Sequence, residues 1–543
     1  MTPISFQKTN IWLTWASLLL TIAFVSASTA SAQEPEPAVK LYLPMLFKNG
    51  NPASVIQDPV GPQPQLTPSQ QDGRAINPAA TGEWSAPVPW PITAIHASLM
   101  PDGRILTWDS NEDDFLNDGI DQHLSPNKTT RADMYDPIAN THSPVWADTG
   151  SDLFCSGHAH LPTGDLFISG GTTGHNFQIN KTNIFSYVDD SWTLGPQMHA
   201  ARWYPSVTPL ANGDMLMTGG RAAKPEVYDF QNNSIRELSN VSGTSSFWPW
   251  LRMAPNGKVF YAGPSTNIYN LDVTRLGTKT SLGTRQGGTR NDGSYAIYDI
   301  GKVLVSGGSA AGISKNSATI LDMNSGASSA TGSMNTGRHH HNLTILADGT
   351  VLATGGNTDG SDFCSLGNSG YTAELWDPAT GDWTEMDTQQ ITRQYHSTAL
   401  LLPDARVIST GEGRAFFNCT QQYNAEFYSP PYLFNPDGSL ATRPVINTIP
   451  KSIDYQDVFT IQSNQADDID KIHLIRLGSV THSNDQGQRL VPLSFSQSGN
   501  NLNTTAPANA NIAPPGHYMV FLINDNGVPS VAEIVLLGWP SIT

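Results

Sequence analysis

One pattern returns seven times along this chain: an apolar segment, a turn of the P-D-G kind, a second apolar segment and a small-Gly-Gly stop. It reads HASLMPDGRILTWD from His96, HAHLPTGDLFISGG from His158 and SVTPLANGDMLMTGG from Ser206. It continues as WLRMAPNGKVFYAG from Trp250, YAIYDIGKVLVSGG from Tyr295, NLTILADGTVLATGG from Asn342 and STALLLPDARVISTGEG from Ser397. Each half has the length of a strand, and the residues between the halves suit a hairpin. A unit of this size cannot bury its own apolar face, so successive units must stack on one another.

The copies recur about every 44 to 60 residues, and a period near 50 with Gly-Gly after the second strand marks kelch-type blades. Seven copies predict an all-β chain with a seven-bladed kelch-type propeller over residues 81–438. Trp84, Trp192 and Trp383 mark outer strands. Trp84 precedes the first hairpin, so its strand is expected to complete the last blade and close the ring. After about residue 440 the pattern gives way to short apolar segments such as KIHLIRLG and HYMVFLIND, which predict a β-sandwich over 439–543. The abundance of Gly (47) and Pro (38), with 14% charged residues, fits turn-rich β structure. A net charge of −18 argues against a nucleic-acid partner and leaves small neutral or polar ones.

The first 32 residues read as a secretory signal: Lys8, an apolar run from about Ile11 to Val25, then Ala30-Ser31-Ala32 as a cleavage site. The run is short for a membrane anchor, so the mature chain is expected outside the cell without stable membrane insertion. Residues 33–80 are rich in Pro, Gln, Asn and Gly and read as a linker. Three cysteines are an odd number for an exported chain, so one is expected to have a task of its own.

Counting nine residues back from the Gly of each hairpin turn gives Ala94, Cys155, Tyr204, Trp248, Asp292 and His340. In the last repeat the count runs ten back from Ala405 to Tyr395, with LLLP read as carrying one extra residue. Arg202, Arg338 and Arg393 each stand two places before this position. Equivalent positions of a propeller form a ring about its axis, so these side chains should converge at one mouth of the channel. A structural blade calls for small or apolar residues there. A thiol, two phenols, an indole, a carboxylate and an imidazole instead form a candidate site.

Cys155 and Tyr204 fall in successive repeats and should be neighbours. Joined as a thioether, the sulfur would delocalise an unpaired electron over the phenol. That would account for the odd cysteine and leave Cys364 and Cys419 to pair. Taken singly, Cys155 is as well explained as a small core residue, and Tyr395-His396 as packing; the coincidence of all of them is what points to chemistry.

With those residues in place, the chain resembles the copper-radical oxidase family of galactose oxidase and glyoxal oxidase. The similarity runs from about residue 80 to the end. It is carried by FCSGHAHLPTGDLFISGG from Phe154, ARWYPSVTPLANGDMLMTGG from Ala201, TRQYHSTALLLPDARV from Thr392 and GSVTHSNDQGQRLVPLSF from Gly478. The resemblance implies one copper ion held by Tyr204, Tyr395, His396 and His482, the last from an immunoglobulin-like, early-set sandwich. It implies a Cys155–Tyr204 thioether radical and the oxidation of a primary alcohol or aldehyde by O2, with H2O2 released and Tyr395 as general base. Residues 33–80 are too few and too Pro-rich for the sugar-binding module of galactose oxidase, which brings the likeness nearer to glyoxal oxidase.

The chain also departs from the family pattern. The galactose-type enzyme covers its thioether with a Trp from the blade of the cross-linked tyrosine, and GGRAAKPEVY from Gly219 has none. Trp248 is the expected replacement. Arg285 and Arg290 lie near where a substrate-binding arginine would fall, but read better as surface or blade-edge charges. His339, His340 and His341 are expected to line the channel or to hydrogen-bond around the site rather than to bind a second metal. The competing reading is an extracellular propeller that binds carbohydrate or protein without catalysis.

Overall fold

The computed structural model describes residues 77–538, apart from 112–129, 173–177, 245, 361–362, 365–367 and 414–420. The expected signal over 1–32, nearly all of the linker over 33–80, and Cys419 lie outside the described residues.

Each repeat forms the two inner strands of a four-stranded antiparallel sheet, and the sequence between repeats supplies the two outer ones. Blade 2 shows the plan: Gly157–His160 pairs with Leu166–Ser169, then Thr182–Ser186, then Ser191–Leu194, which carries Trp192. Seven such sheets occur among the described residues. The last is completed from the other end of the propeller: Glu83–Trp84 pairs with Asn424–Ser429, so the ring closes through the strand of Trp84.

The apolar faces meet between blades. Leu106 and Trp108 of blade 1 pack with Leu166 and Phe185 of blade 2, and Trp250 and Phe260 of blade 4 pack with Tyr295 and Val303 of blade 5. Burial of this kind, at about 25 cal/mol per Å² of apolar area, is available only once neighbours have stacked.

The arginines before the inner strands tie the blades together. The Nη1 groups of Arg202, Arg290, Arg338 and Arg393 donate to the carbonyls of Gly219, Gly307, Gly355 and Gly411, at 2.9, 2.8, 3.0 and 3.0 Å. The carboxylates of Glu226, Glu374 and Glu426 accept from Arg202, Arg338 and Arg393. Each carboxylate also accepts two backbone N–H groups, as Glu374 does from Asn335 and Thr336. In blade 5 the hydroxyls of Ser317 and Thr319 take the carboxylate's place. Arg290 is therefore a fourth member of the set. It is fully buried and Arg285 nearly so, and the Arg285 guanidinium is held by the carbonyls of Ala262, Pro264 and Gln286. Neither arginine is a surface charge.

The C-terminal segment forms a five-stranded and a three-stranded sheet around Phe459, Leu474, Tyr518, Val520 and Val535. From it a hairpin, Ser479–Thr481 and Asn484–Asp485, runs into the propeller. Ser479–Thr481 pairs with the innermost strand of blade 1, setting Thr481 opposite His96 and Ser479 opposite Ser98. The Asn484 amide donates to Ser206, the Gln486 side chain accepts from Val207 N–H, and the Ser483 carbonyl accepts from Ser294. The hairpin thus reads blades 1, 3 and 5 at once, which fixes what it carries relative to all of them.

Candidate metal centre

The hairpin's tip is His482. With Thr481 paired to Asn484, His482 and Ser483 form a two-residue turn at φ 48° and 65°. Such turns favour Asn-Gly because both residues need positive φ. His and Ser here carry backbone strain of a kind concentrated at functional sites. The Thr481 hydroxyl donates to the Ile95 carbonyl at 3.0 Å, so its 2.7 Å contact with His482 Nδ1 has the imidazole as donor. That leaves the Nε2 lone pair as an acceptor, 3.6 Å from the Cys155 Sγ thiol.

The residues before the inner strands share an unusual backbone. Cys155, Tyr204, Trp248, Asp292 and His340 all have φ between 43° and 65°. Neighbours are joined: Tyr204 N–H donates to the Cys155 carbonyl, Trp248 N–H to that of Tyr204, and His340 N–H to that of Asp292, at 3.0, 3.0 and 2.7 Å. These backbone hydrogen bonds gather side chains from separate blades toward one ring.

The seventh member of the ring is His396, not Tyr395. His396 has φ 71° and stands nine residues before Ala405, whose φ of 66° replaces the turn glycine. The LLLP hairpin is as long as the others: Leu402 N–H bonds Arg406 O as Met100 N–H bonds Arg104 O. The extra residue lies earlier, between Arg393 and His396. It is what lets one blade present Tyr395 and His396 in succession.

Together these residues make a compact buried centre. The ligand atoms of Cys155, His396 and His482 lie within 4.8 Å of one another. The Tyr204 and Tyr395 hydroxyl oxygens are 2.6 Å apart. His396 Nδ1 donates to the Gly413 carbonyl at 3.0 Å, so this ring too keeps Nε2 for a ligand. Burial, then His396, pushes the His482 imidazole well below its usual range and keeps it neutral. Burial, then Cys155 and Tyr395, pushes the Tyr204 phenol well above its own. A bound cation reverses that preference for the phenols. Two imidazole nitrogens with two phenol oxygens suit Cu(II). Cys155 is in no disulfide, whereas Cys364 is disulfide-bonded.

The family model of the glyoxal oxidase N-terminus matches residues 117–432, and that of the galactose oxidase-like early set domain matches 443–537. A galactose oxidase of Gibberella zeae is 30% identical over 491 residues, 84% of this chain and 70% of that one. This chain belongs to the copper-radical oxidase family. An aldehyde oxidase GLOX of Vitis pseudoreticulata is 28% identical over 520 residues, 84% of this chain and 97% of that protein. A fungal alcohol oxidase of the AA5 family, solved in complex with copper, superposes with a TM-score of 0.76 at 27% identity, over 84% of this chain and all of that one.

In this copper-radical oxidase family member the indole stacked on Tyr204 is Trp203. Its ring lies 4.3 Å from that of Tyr204 at 19°. Trp248 does not take that role: it is tilted 43° from Tyr204 at 5.3 Å and stacks instead on His482, at 4.6 Å and 28°. Trp203 is held in turn under the guanidinium of Arg221, 4.8 Å from the ring. Arg221 stands in the segment after Gly219 that lacks a Trp. Sequence reasoning missed Trp203 because adjacent residues of an extended strand face opposite ways; the left-handed Tyr204 turns the two rings face to face.

Around the mouth, the exposed ring of Phe247 meets Tyr204 edge-on at 5.2 Å, and that of Phe363 lies 4.8 Å from Tyr395. The His run divides as expected. His340 lies against Tyr395, His341 hydrogen-bonds Ser306, and His339 hydrogen-bonds Ser314. Among the described residues Cys155, His396 and His482 are the one group of three or more His, Cys, Asp or Glu close enough together to hold a metal ion, and no helix is long and apolar enough to cross a membrane.

Proposed function

We propose that this chain is an exported oxidase that removes two electrons and two protons from a primary alcohol, or from an aldehyde in its hydrated form, and passes them to O2. The products are the aldehyde or acid and H2O2. The observation that carries the reading is the convergence of Tyr204, Tyr395, His396, His482 and Cys155 from distant parts of the chain onto one buried point.

In this reading Tyr204, Tyr395, His396 and His482 hold one copper ion, and Cys155 is joined to Tyr204 as a thioether. Copper held there would supply one-electron redox chemistry, and the sulfur-substituted Tyr204 ring, as a radical, would accept the substrate's second electron. Gly413 and Thr481 keep the two imidazoles in the ligating tautomer. Tyr395 takes the proton of the substrate hydroxyl as general base. Trp203 shields the Tyr204 ring from water. Phe247 and Phe363 offer apolar faces to the substrate's carbon skeleton. Residues 1–32 serve as export signal and 33–80 as linker, ahead of a propeller over 81–438 and a sandwich over 439–543 that lends the last ligand.

The test is peroxide release. Protein loaded with copper in air is given a panel of primary alcohols and aldehydes, with a metal-stripped control. Copper-dependent peroxide supports the reading. Stoichiometric copper with no peroxide from any of them would favour the propeller that binds carbohydrate or protein without turnover.

A further inference from the structure

In three members of the ring of left-handed residues the N–H donates to the carbonyl of the member before it: Tyr204 to Cys155, Trp248 to Tyr204, His340 to Asp292. Cys155 breaks this pattern. The preceding member is Ala94, which is not left-handed and whose carbonyl accepts from the Thr398 hydroxyl. The Cys155 N–H is taken instead by a side chain: His96 Nε2, at 3.1 Å.

His96 is well placed to hold it. It is fully buried, and its ring is stacked parallel to that of Trp108, 4.7 Å away at 1°. It stands opposite Thr481, the residue that orients His482. Burial keeps the imidazole neutral. With Nε2 accepting, the proton sits on Nδ1, which has no hydrogen-bond partner. A buried N–H left unsatisfied is costly, so shape alone does not explain a histidine here. A Phe would stack on Trp108 equally well.

We infer that His96 is a positioning residue for the thioether. Its Nε2 fixes the peptide before Cys155, as the Tyr204 N–H fixes the peptide after it. Cys155 is thereby locked at φ 60° with its sulfur beside the Tyr204 phenol. This rests on the thioether proposed above. In the cross-linking step one S–H bond of Cys155 and one ring C–H bond of Tyr204 break and one C–S bond forms. The two electrons and two protons pass to O2, giving H2O2.

The experiment follows cross-linking by peptide mass in full-length protein after copper is added in air, with the melting temperature recorded alongside. His96→Phe keeps the stack and removes the acceptor; His96→Gln keeps an acceptor and removes the ring. The Phe variant is expected to cross-link about tenfold more slowly or worse, since small misplacements of reacting groups are costly in rate. The Gln variant should recover most of the rate. Should the Phe variant not fold, His96→Leu provides the acceptor-free comparison. Wild-type cross-linking that is unaffected in the acceptor-free variant overturns the inference, as does a Gln variant no better than Phe at equal stability. A wild-type protein that never cross-links would overturn the thioether reading instead.

Discussion

The hydroxyl oxygens of Tyr204 and Tyr395 lie 2.6 Å apart, although 191 residues separate them in the chain. One phenol is on blade 3 and the other precedes the inner strand of blade 7, so the contact exists only once the ring has closed. A proton shared at this distance is what a doubly bound cation must displace.

Tyr395→Phe should therefore leave the fold intact and remove the group that takes the substrate proton. We expect kcat to fall by about 10²–10⁴-fold, measured as peroxide release at saturating substrate. Retention of more than a tenth of wild-type turnover would place the base elsewhere.

Thr481→Val removes the hydroxyl that accepts from His482 Nδ1 and frees the ring to take the other tautomer. Loss of such a supporting hydrogen bond costs about 10–100-fold in metal affinity. Competitive copper titration should find that loss in Val and a much smaller one in Thr481→Ser.

Trp203→Ala and Trp248→Ala should differ in kind. The first uncovers Tyr204, and the expected result is a normal cross-link with a radical that decays faster. The second removes the ring stacked on His482, and the expected result is weaker copper binding. Radical decay by absorption and copper titration on both variants separate the roles.

Glu374→Ala leaves Arg338 buried without its carboxylate and two backbone N–H groups without an acceptor. Breaking a buried pair from one side costs about 3–5 kcal/mol, to be read from denaturant unfolding. Arg290, whose partners are hydroxyls, provides the contrast: Thr319→Ala should cost far less.

Glu412 is buried with one carboxylate oxygen lacking a hydrogen-bond partner, and burial raises its carboxyl to about 7. The folded protein then binds this proton more tightly than the unfolded chain. Its stabilising contribution is complete below the unfolded value of about 4.3 and is lost as pH rises to about 7. The melting temperature of wild type relative to Glu412→Gln should thus fall by a few degrees between pH 4.5 and 8.

Much of this was legible because each blade repeats its own hairpin, and a turn glycine marks the same place in six of the seven. The seventh has Ala405, and with that marker missing the extra residue was assigned to LLLP rather than to the stretch before His396. The arginines could be seen but not their carboxylates: Glu226 and Glu374 lie 24 and 36 residues beyond Arg202 and Arg338, and only strand pairing brings them back. Arg290 had a signal of its own, since it stands two places before Asp292 as Arg202 does before Tyr204. The replacement of Trp248 by Trp203 as the cover of Tyr204 had none, because it follows from a backbone angle that no residue type announces.

The measurement that bears most directly on the central claim is the mass of the peptides carrying Cys155 and Tyr204 after the wild-type protein is loaded with copper in air. The account predicts one joined species, two hydrogens lighter than the sum and stable to thiol reductants. Two separate peptides, with Cys155 still open to alkylation after copper has bound, would contradict it.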